Sequence, residues 1–186
     1  MVIRRVPNVG VMALFVLVAA CTAVGKVGAG AAASPAVSPA VDYSKITPIE
    51  LVKNTPKGQL HNPYKDTQTK IVAAGSTLFQ NYGCSGCHGG GGGGGMCPPL
   101  INDIWVYGGD DDTLFRLATL GSVELQKAGY TRIGQENVVG PMPPFGGIIK
   151  SADDLWRILA FIRSRFDGDP AYKFGAPPEQ LPPAND

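Results

Sequence analysis

Apolar residues recur along this chain mainly at helical spacing. In "TQTKIVAAGSTLFQNYG", Ile71, Ala74, Leu78, Phe79 and Tyr82 return every three or four residues, which predicts a helix with one apolar face that Gly83 can end. Gly75 lies on that face and costs helix stability relative to alanine, so its presence predicts a close approach by another backbone. A second helix is predicted at "DDDTLFRLATLG". There Asp110, Asp111 and Asp112 supply caps and favourable charge, Leu114, Leu117, Ala118 and Leu120 face inward, and Gly121 closes the helix. "SVELQKAG" adds a further turn or two. The clearest helix is "SADDLWRILAFIRSRF", with Ser151 and Asp154 spaced as a capping box and Leu155, Ile158, Leu159 and Ile162 as its stripe. Arg163 and Arg165 sit at its C-terminal end, where positive charge is favoured.

No stretch alternates as a strand would and no repeat appears, so the pattern predicts an all-α domain with long loops. Its expected extent is 67–169. Ahead of it, 34–66 reads as an extended arm with one short helix near "TPIELVKN"; behind it, the Pro-rich tail 170–186 cannot continue a helix. The first 33 residues read as an export leader. Arg4 and Arg5 precede an apolar core from Val9 to Ala20, shorter than the roughly 20 residues of a spanning helix. Two endings are open. Cleavage near Ala33 would release a soluble protein, whereas "VAAC" resembles a lipobox and would leave Cys21 lipidated, the one route to a membrane. Both place the protein in the periplasm.

The formal net charge is +1, and without residues 1–33 the chain carries 13 Lys and Arg against 15 Asp and Glu. So small an imbalance implies no nucleic-acid partner. Four cysteines do not make a disulfide framework, because Cys84 and Cys87 are a close pair while Cys21 and Cys97 stand apart.

The chemistry concentrates in "GCSGCHGGGGGGGMCPP". Cys84, Cys87 and His88 match the C-x-x-C-H pattern of covalent haem attachment. Two thiols one helical turn apart can each take one haem vinyl group, and the adjoining imidazole then lies under the porphyrin as proximal iron ligand. A zinc site would want four ligands, and only Cys97 and His61 remain to complete one. A thioredoxin-like pair needs a strand before it, but here a helix precedes the motif. One motif predicts one haem c. For the sixth iron ligand, Met142 in "VVGPMPPFGG" is held by Pro141, Pro143 and Pro144, which fix the backbone without regular structure. Met96 follows His88 too closely, and His61 precedes the domain. His/Met ligation suits an electron carrier. A haem enzyme or gas sensor with an open distal side is the competing class. The glycine run Gly89–Gly95 is expected to form a low-profile loop beside the haem edge.

These residues together resemble class I cytochromes c: a helix carrying Gly75, Phe79 and Tyr82, the C-x-x-C-H motif, "GPMPPF", and a last helix with Leu155 and Trp156. The resemblance spans about 67–168 and implies first and last helices that cross, with Met142 on the distal haem face. More narrowly, "PPLINDIWVYGGDDDTLF" and "GYTRIGQENVVGPMPPF" resemble the XoxG-type cytochromes that serve lanthanide-dependent methanol dehydrogenases. That implies a one-electron acceptor for a PQQ-dependent alcohol dehydrogenase, feeding a downstream cytochrome or terminal oxidase, and not an enzyme. A general carrier for another donor is the alternative. Cys97 falls where such proteins carry glycine and reads as a free thiol or an intermolecular link. Trp105 and Tyr107 are candidates for the haem pocket, with ordinary core as the other reading. Arg116 reads as a solvated charge and Asp110–Asp112 as helix caps, not a calcium site.

Overall fold

Local capping signals start the helices at Pro48, Asp111 and Ala152 in a computed structural model that describes residues 41–134, 136 and 138–175. Helix α1 (Pro48–Asn54) opens on a reciprocal capping box. The Glu50 N–H donates to the Thr47 hydroxyl at 3.2 Å, the Thr47 N–H donates to the Glu50 carboxylate at 2.9 Å, and Pro48 takes the first turn, where no N–H is needed. Helix α2 (Thr69–Asn81) buries Gly75 and Phe79 one turn apart. It stops at Gly83, whose φ of 80° is left-handed, and the chain re-enters a helix at once as α3 (Cys84–His88). Helix α4 (Asp111–Lys127) is capped by Asp110, which accepts from the Thr113 N–H at 2.8 Å. Helix α5 (Ala152–Ser164) is capped by Ser151, which accepts from the Asp154 N–H at 3.2 Å. The return half of that expected capping box is absent, because the Asp154 carboxylate accepts from the Tyr82 hydroxyl at 2.8 Å instead.

The core forms where α2 crosses α5. A Cβ built on Gly75 would stand 2.0 Å from the Arg157 carbonyl oxygen, so only glycine admits this approach. Phe79 and Phe161 meet beside it with ring centroids 5.3 Å apart. Trp156, on the next face of α5, packs against Phe115 of α4 at 4.2 Å. Among the described residues there is no strand, and no helix is long and apolar enough to cross a membrane. The expected export leader, with Cys21, and the tail beyond Gly175 lie outside the described residues.

The stop expected at Gly121 and the further turns after it hold, since α4 breaks at Gly121 and continues to Lys127. Two expectations change. Residues 41–66 do not stand off as an arm: Val52 and Leu60 join the core, and Asn62 donates to the Trp156 carbonyl at 3.0 Å. Arg116 is not solvated. It is 7% exposed and bonded to Asp112 at 2.9 Å, and it donates to the carbonyls of Val52, Thr55 and Pro56. Four residues of helix put Arg116 beside Asp112, and the incoming chain closes over both. Burial works to raise Asp112, but Arg116, the Tyr130 hydroxyl and the N–H groups of Gly58 and Leu60 outweigh it and hold the carboxyl below its ordinary value.

The aspartate run divides its labour. Asp110 is the cap, Asp112 the buried partner of Arg116, and Asp111 pairs with Arg163 at 2.6 Å. Arg163 is therefore more than a charge at a helix end. It is buried, and donates to the carbonyls of Gly109 and Lys173, tying the first residues of the tail to the domain. There Pro170–Tyr172 form a short 3-10 turn.

Candidate functional site

Between these helices lies an apolar cleft enclosing about 1290 Å³ of empty space, its open mouth included. Helix α5 contributes Leu155, Ile158, Leu159 and Ile162, and α4 contributes Leu114, Leu117 and Ala118. These are the stripes that periodicity picked out, so the faces predicted to be core are also the walls of the cleft.

The chemistry-bearing residues converge on this space. Cys84, Cys87 and His88 line it from α3, and Met142 lines it from the loop before α5. The two other weighed ligands stay away. Met96 is 64% exposed and His61 is exposed, and neither lines the cleft.

Helix α3 is one turn long, which brings Cys84, Cys87 and His88 onto adjoining positions of one helical face. Both thiols are half-buried, and burial, partly offset by a backbone hydrogen bond, pushes the Cys84 thiol up. The His88 ring is oriented by Nδ1, which lies 2.8 Å from the Pro98 carbonyl oxygen. A carbonyl only accepts, so Nδ1 carries the hydrogen and Nε2 is left with a bare lone pair, the arrangement of a metal-ligating histidine. Two thiols, an oriented imidazole, a thioether and apolar walls form a donor set that fits covalent haem.

The glycine run folds back onto the backbone of α3. None of Gly89–Gly95 lines the cleft; the lining resumes at Cys97. The loop is closed by Gly92 N–H to Gly89 C=O at 3.0 Å and Gly94 N–H to His88 C=O at 2.9 Å. It is clamped from outside by Gln80 on the Gly90 carbonyl at 2.7 Å and Arg165 on the Gly91 carbonyl at 3.2 Å. A Cβ at Gly95 would come 2.7 Å from the Cys87 carbonyl oxygen, and at Gly89, where φ is 75°, 2.6 Å from that of Gly94. The run is therefore a tight cradle for the haem-motif backbone.

Cys97 lies against that motif, with its N–H donating to the Cys87 carbonyl at 3.1 Å. Burial, then the neighbouring Cys87 thiol, pushes Cys97 up to about 11, so it is a neutral thiol near pH 7. Trp105 and Tyr107 both line the cleft. The Trp105 indole N–H donates to the Leu100 carbonyl at 3.0 Å, so its ring meets the cleft through carbon. The Tyr107 hydroxyl accepts from Gln126 at 2.9 Å. The lining residues that the sequence did not mark include Ser122 and two charged ones, Arg132 and Glu136. Burial, opposed by Arg132, raises the Glu136 carboxyl, and no periodicity marks either one.

Comparison with known proteins bears on this arrangement. Curated protein sequences give no match. A solved structure, cytochrome CL from the marine methylotrophic bacterium Methylophaga aminisulfidivorans MPT, is similar at 23% identity with a TM-score of 0.46, over 70% of this chain and 83% of that one. The family model for cytochrome c matches residues 72–166, from the middle of α2 past the end of α5, with the C-x-x-C-H motif and Met142 inside the match. The chain belongs to the cytochrome c family, whose members bind covalent haem c and carry electrons.

Proposed function

We propose that Cys84 and Cys87 would hold the haem by thioether bonds, that His88 and Met142 would ligate its iron, and that the protein is a periplasmic one-electron carrier for a quinoprotein alcohol dehydrogenase. The observation that carries the site is the convergence of all four side chains on one apolar cleft, with the His88 imidazole turned to leave Nε2 free. Bound haem iron supplies a ferric/ferrous couple that takes up and releases one electron.

The chain's own residues do the rest. Cys84 and Cys87 would each give a sulfur and a hydrogen to the two carbons of one haem vinyl group, an attachment that would need no oxidant. The Pro98 carbonyl keeps the imidazole in one tautomer and one orientation. Met142 would offer the iron a soft, uncharged sulfur, which favours the ferrous state and, with His88, would discourage oxygen chemistry. Leu155, Ile158 and Leu159 exclude water from the interior of the cleft. Trp105 and Tyr107 contribute aromatic wall to the haem pocket.

The export leader supports the periplasm as the place of work, either as a soluble protein or anchored through Cys21. The segments "PPLINDIWVYGGDDDTLF" and "GYTRIGQENVVGPMPPF" support the donor, a PQQ-dependent methanol dehydrogenase of the lanthanide type, with a downstream cytochrome or oxidase as acceptor. The test mixes the haem-loaded protein with a purified quinoprotein methanol dehydrogenase and methanol and follows haem reduction. Reduction faster than that of an unrelated class I cytochrome is expected; equal rates would remove the donor assignment while leaving the carrier intact.

A further inference from the structure

Helix α4 is broken at Gly121, where φ is 75° and ψ is 166° inside an otherwise helical run. An unbroken helix would send the Ser122 N–H to the Ala118 carbonyl and the next N–H to the Thr119 carbonyl. The break frees these groups, and the segment carrying Met142 takes up the Ser122 N–H and both carbonyls. The Phe145 N–H donates to the Ala118 carbonyl at 2.9 Å, and the Gly146 N–H to the Thr119 carbonyl at 3.0 Å. The Ser122 N–H, turned away from its own helix, donates to the Met142 carbonyl at 3.0 Å. The Ser122 hydroxyl accepts from the Met142 N–H, also at 3.0 Å. The loop runs so close that a Cβ on Gly121 would meet the Met142 carbonyl oxygen at 2.7 Å and the Pro144 nitrogen at 2.9 Å.

We propose that the break at Gly121 and Ser122 is the seat that aims the Met142 sulfur, with buried Ser122 as the positioning residue. Both backbone polar groups of Met142 bond to this one residue, so the Met142 Cα is held from either side. Only the torsions of the Met142 side chain are then left to bring sulfur into the cleft. Prolines stiffen the loop, but they cannot place it; the vacated hydrogen-bonding positions of α4 do that. The proposal rests on Met142 as the distal ligand and adds the device that holds it there.

The experiment uses haem-loaded full-length protein as Ser122→Ala, Ser122→Thr and Met142→Ala. It reads three quantities: the weak far-red charge-transfer band from methionine sulfur to ferric iron, the cyanide affinity of the ferric protein, and the melting temperature. Cyanide must displace the methionine, so whatever weakens the methionine-bound state tightens cyanide binding by the same factor. Losing one hydrogen bond in Ser122→Ala is expected to tighten cyanide binding about five- to ten-fold and to weaken the band. Ser122→Thr keeps the hydroxyl and is expected to restore both readouts. A merely structural serine would lower the melting temperature and leave band and cyanide affinity as in the wild type, and that result overturns the proposal. Should Met142→Ala retain the band, Met142 is not the ligand, and the parent reading falls together with this one.

Discussion

Adding one carbon at Gly75 tests the account of the fold most directly. In Gly75→Ala the new Cβ would lie 2.0 Å from the Arg157 carbonyl oxygen, 2.6 Å from its carbonyl carbon and 3.0 Å from the Phe161 Cβ. The first two are backbone atoms in the interior of α5 and cannot swing aside as the tip of a side chain can. Restoring even a 3.0 Å separation from that oxygen requires α5 to retreat by about 1 Å. Overpacking of this kind costs about 1–3 kcal/mol, and a rigid backbone obstacle belongs at the top of that range. Alanine's better helix propensity returns about 1 kcal/mol. The net loss is about 2 kcal/mol, a drop of roughly 8 °C in melting temperature for a domain of this size.

The retreat has a functional consequence, because α5 carries Leu155, Ile158, Leu159 and Ile162 into the cleft. The assay is thermal unfolding of the haem-loaded protein by far-UV circular dichroism, with Gly93→Ala as control. A Cβ at Gly93 meets nothing within 4 Å and its φ is not left-handed, so the control should stay within about 0.5 kcal/mol of the wild type. A Gly75→Ala protein that melts at or above the wild-type temperature would refute the reasoning.

The glycine cradle predicts a pattern within the run: Gly89→Ala and Gly95→Ala should lower the fraction of chain carrying covalent haem, measured by intact-mass spectrometry, whereas Gly91→Ala should not. The distinction is that an added carbon meets carbonyl oxygens at 2.6 Å and 2.7 Å in the first two and nothing nearer than 3.9 Å in the third. Breaking the buried pair by Arg116→Met leaves Asp112 charged and unpaired, for an expected loss of about 3–5 kcal/mol by urea unfolding. Acid should act on the same pair. The Asp112 carboxyl is held below its unfolded value of roughly 3.9, so its contribution is present above that pH and lost as pH falls through the lower folded value. An Asp112→Asn protein should show a flatter stability profile below about pH 4 than the wild type; an unaltered profile would assign the acid sensitivity elsewhere.

The parts of this site that could be read in the sequence are those built from short-range spacing. Cys84, Cys87 and His88 declare themselves by adjacency, and Gly75 by interrupting an apolar stripe. Met142 does so by the prolines around it. What escaped depends on chain arriving from far away. Arg116 and Asp112 sit at an ordinary ion-pair spacing on a helix, and they are buried only because Val52, Thr55, Pro56 and Leu60 close over them from more than fifty residues earlier. The role of Ser122 was equally hidden. A Gly-Ser pair late in a helix reads as a terminus, and only the returning loop, twenty residues on, turns it into a docking position. The glycine run is legible only in part: flexibility in the sequence says that unusual backbone angles are allowed, and not which backbone the loop will pack against.

The fully buried charges of this fold are kept apart from the cleft, whose charged lining residues are the partly exposed Arg132 and Glu136, and the separation can be tested. Asp112, Arg116 and Arg163 are all buried, yet none lines the cleft. Their bonds run outward, to residues 52–60 on one side and to Gly109, Asp111 and Lys173 on the other. The cleft is walled mainly by carbon. Such surroundings penalise the extra positive charge of ferric haem and so favour the ferrous state. Stability and reduction potential should then respond to different residues. Arg116→Met is expected to lose several kcal/mol of stability while its midpoint potential stays near that of the wild type. Introducing a carboxylate into the wall, as in Leu159→Glu, should lower the potential, because negative charge favours ferric iron. Redox titration beside urea unfolding separates the two effects. A shift in Arg116→Met as large as that in the cleft variant would show that the network reaches the iron electrostatically, and the division of labour argued here would fail.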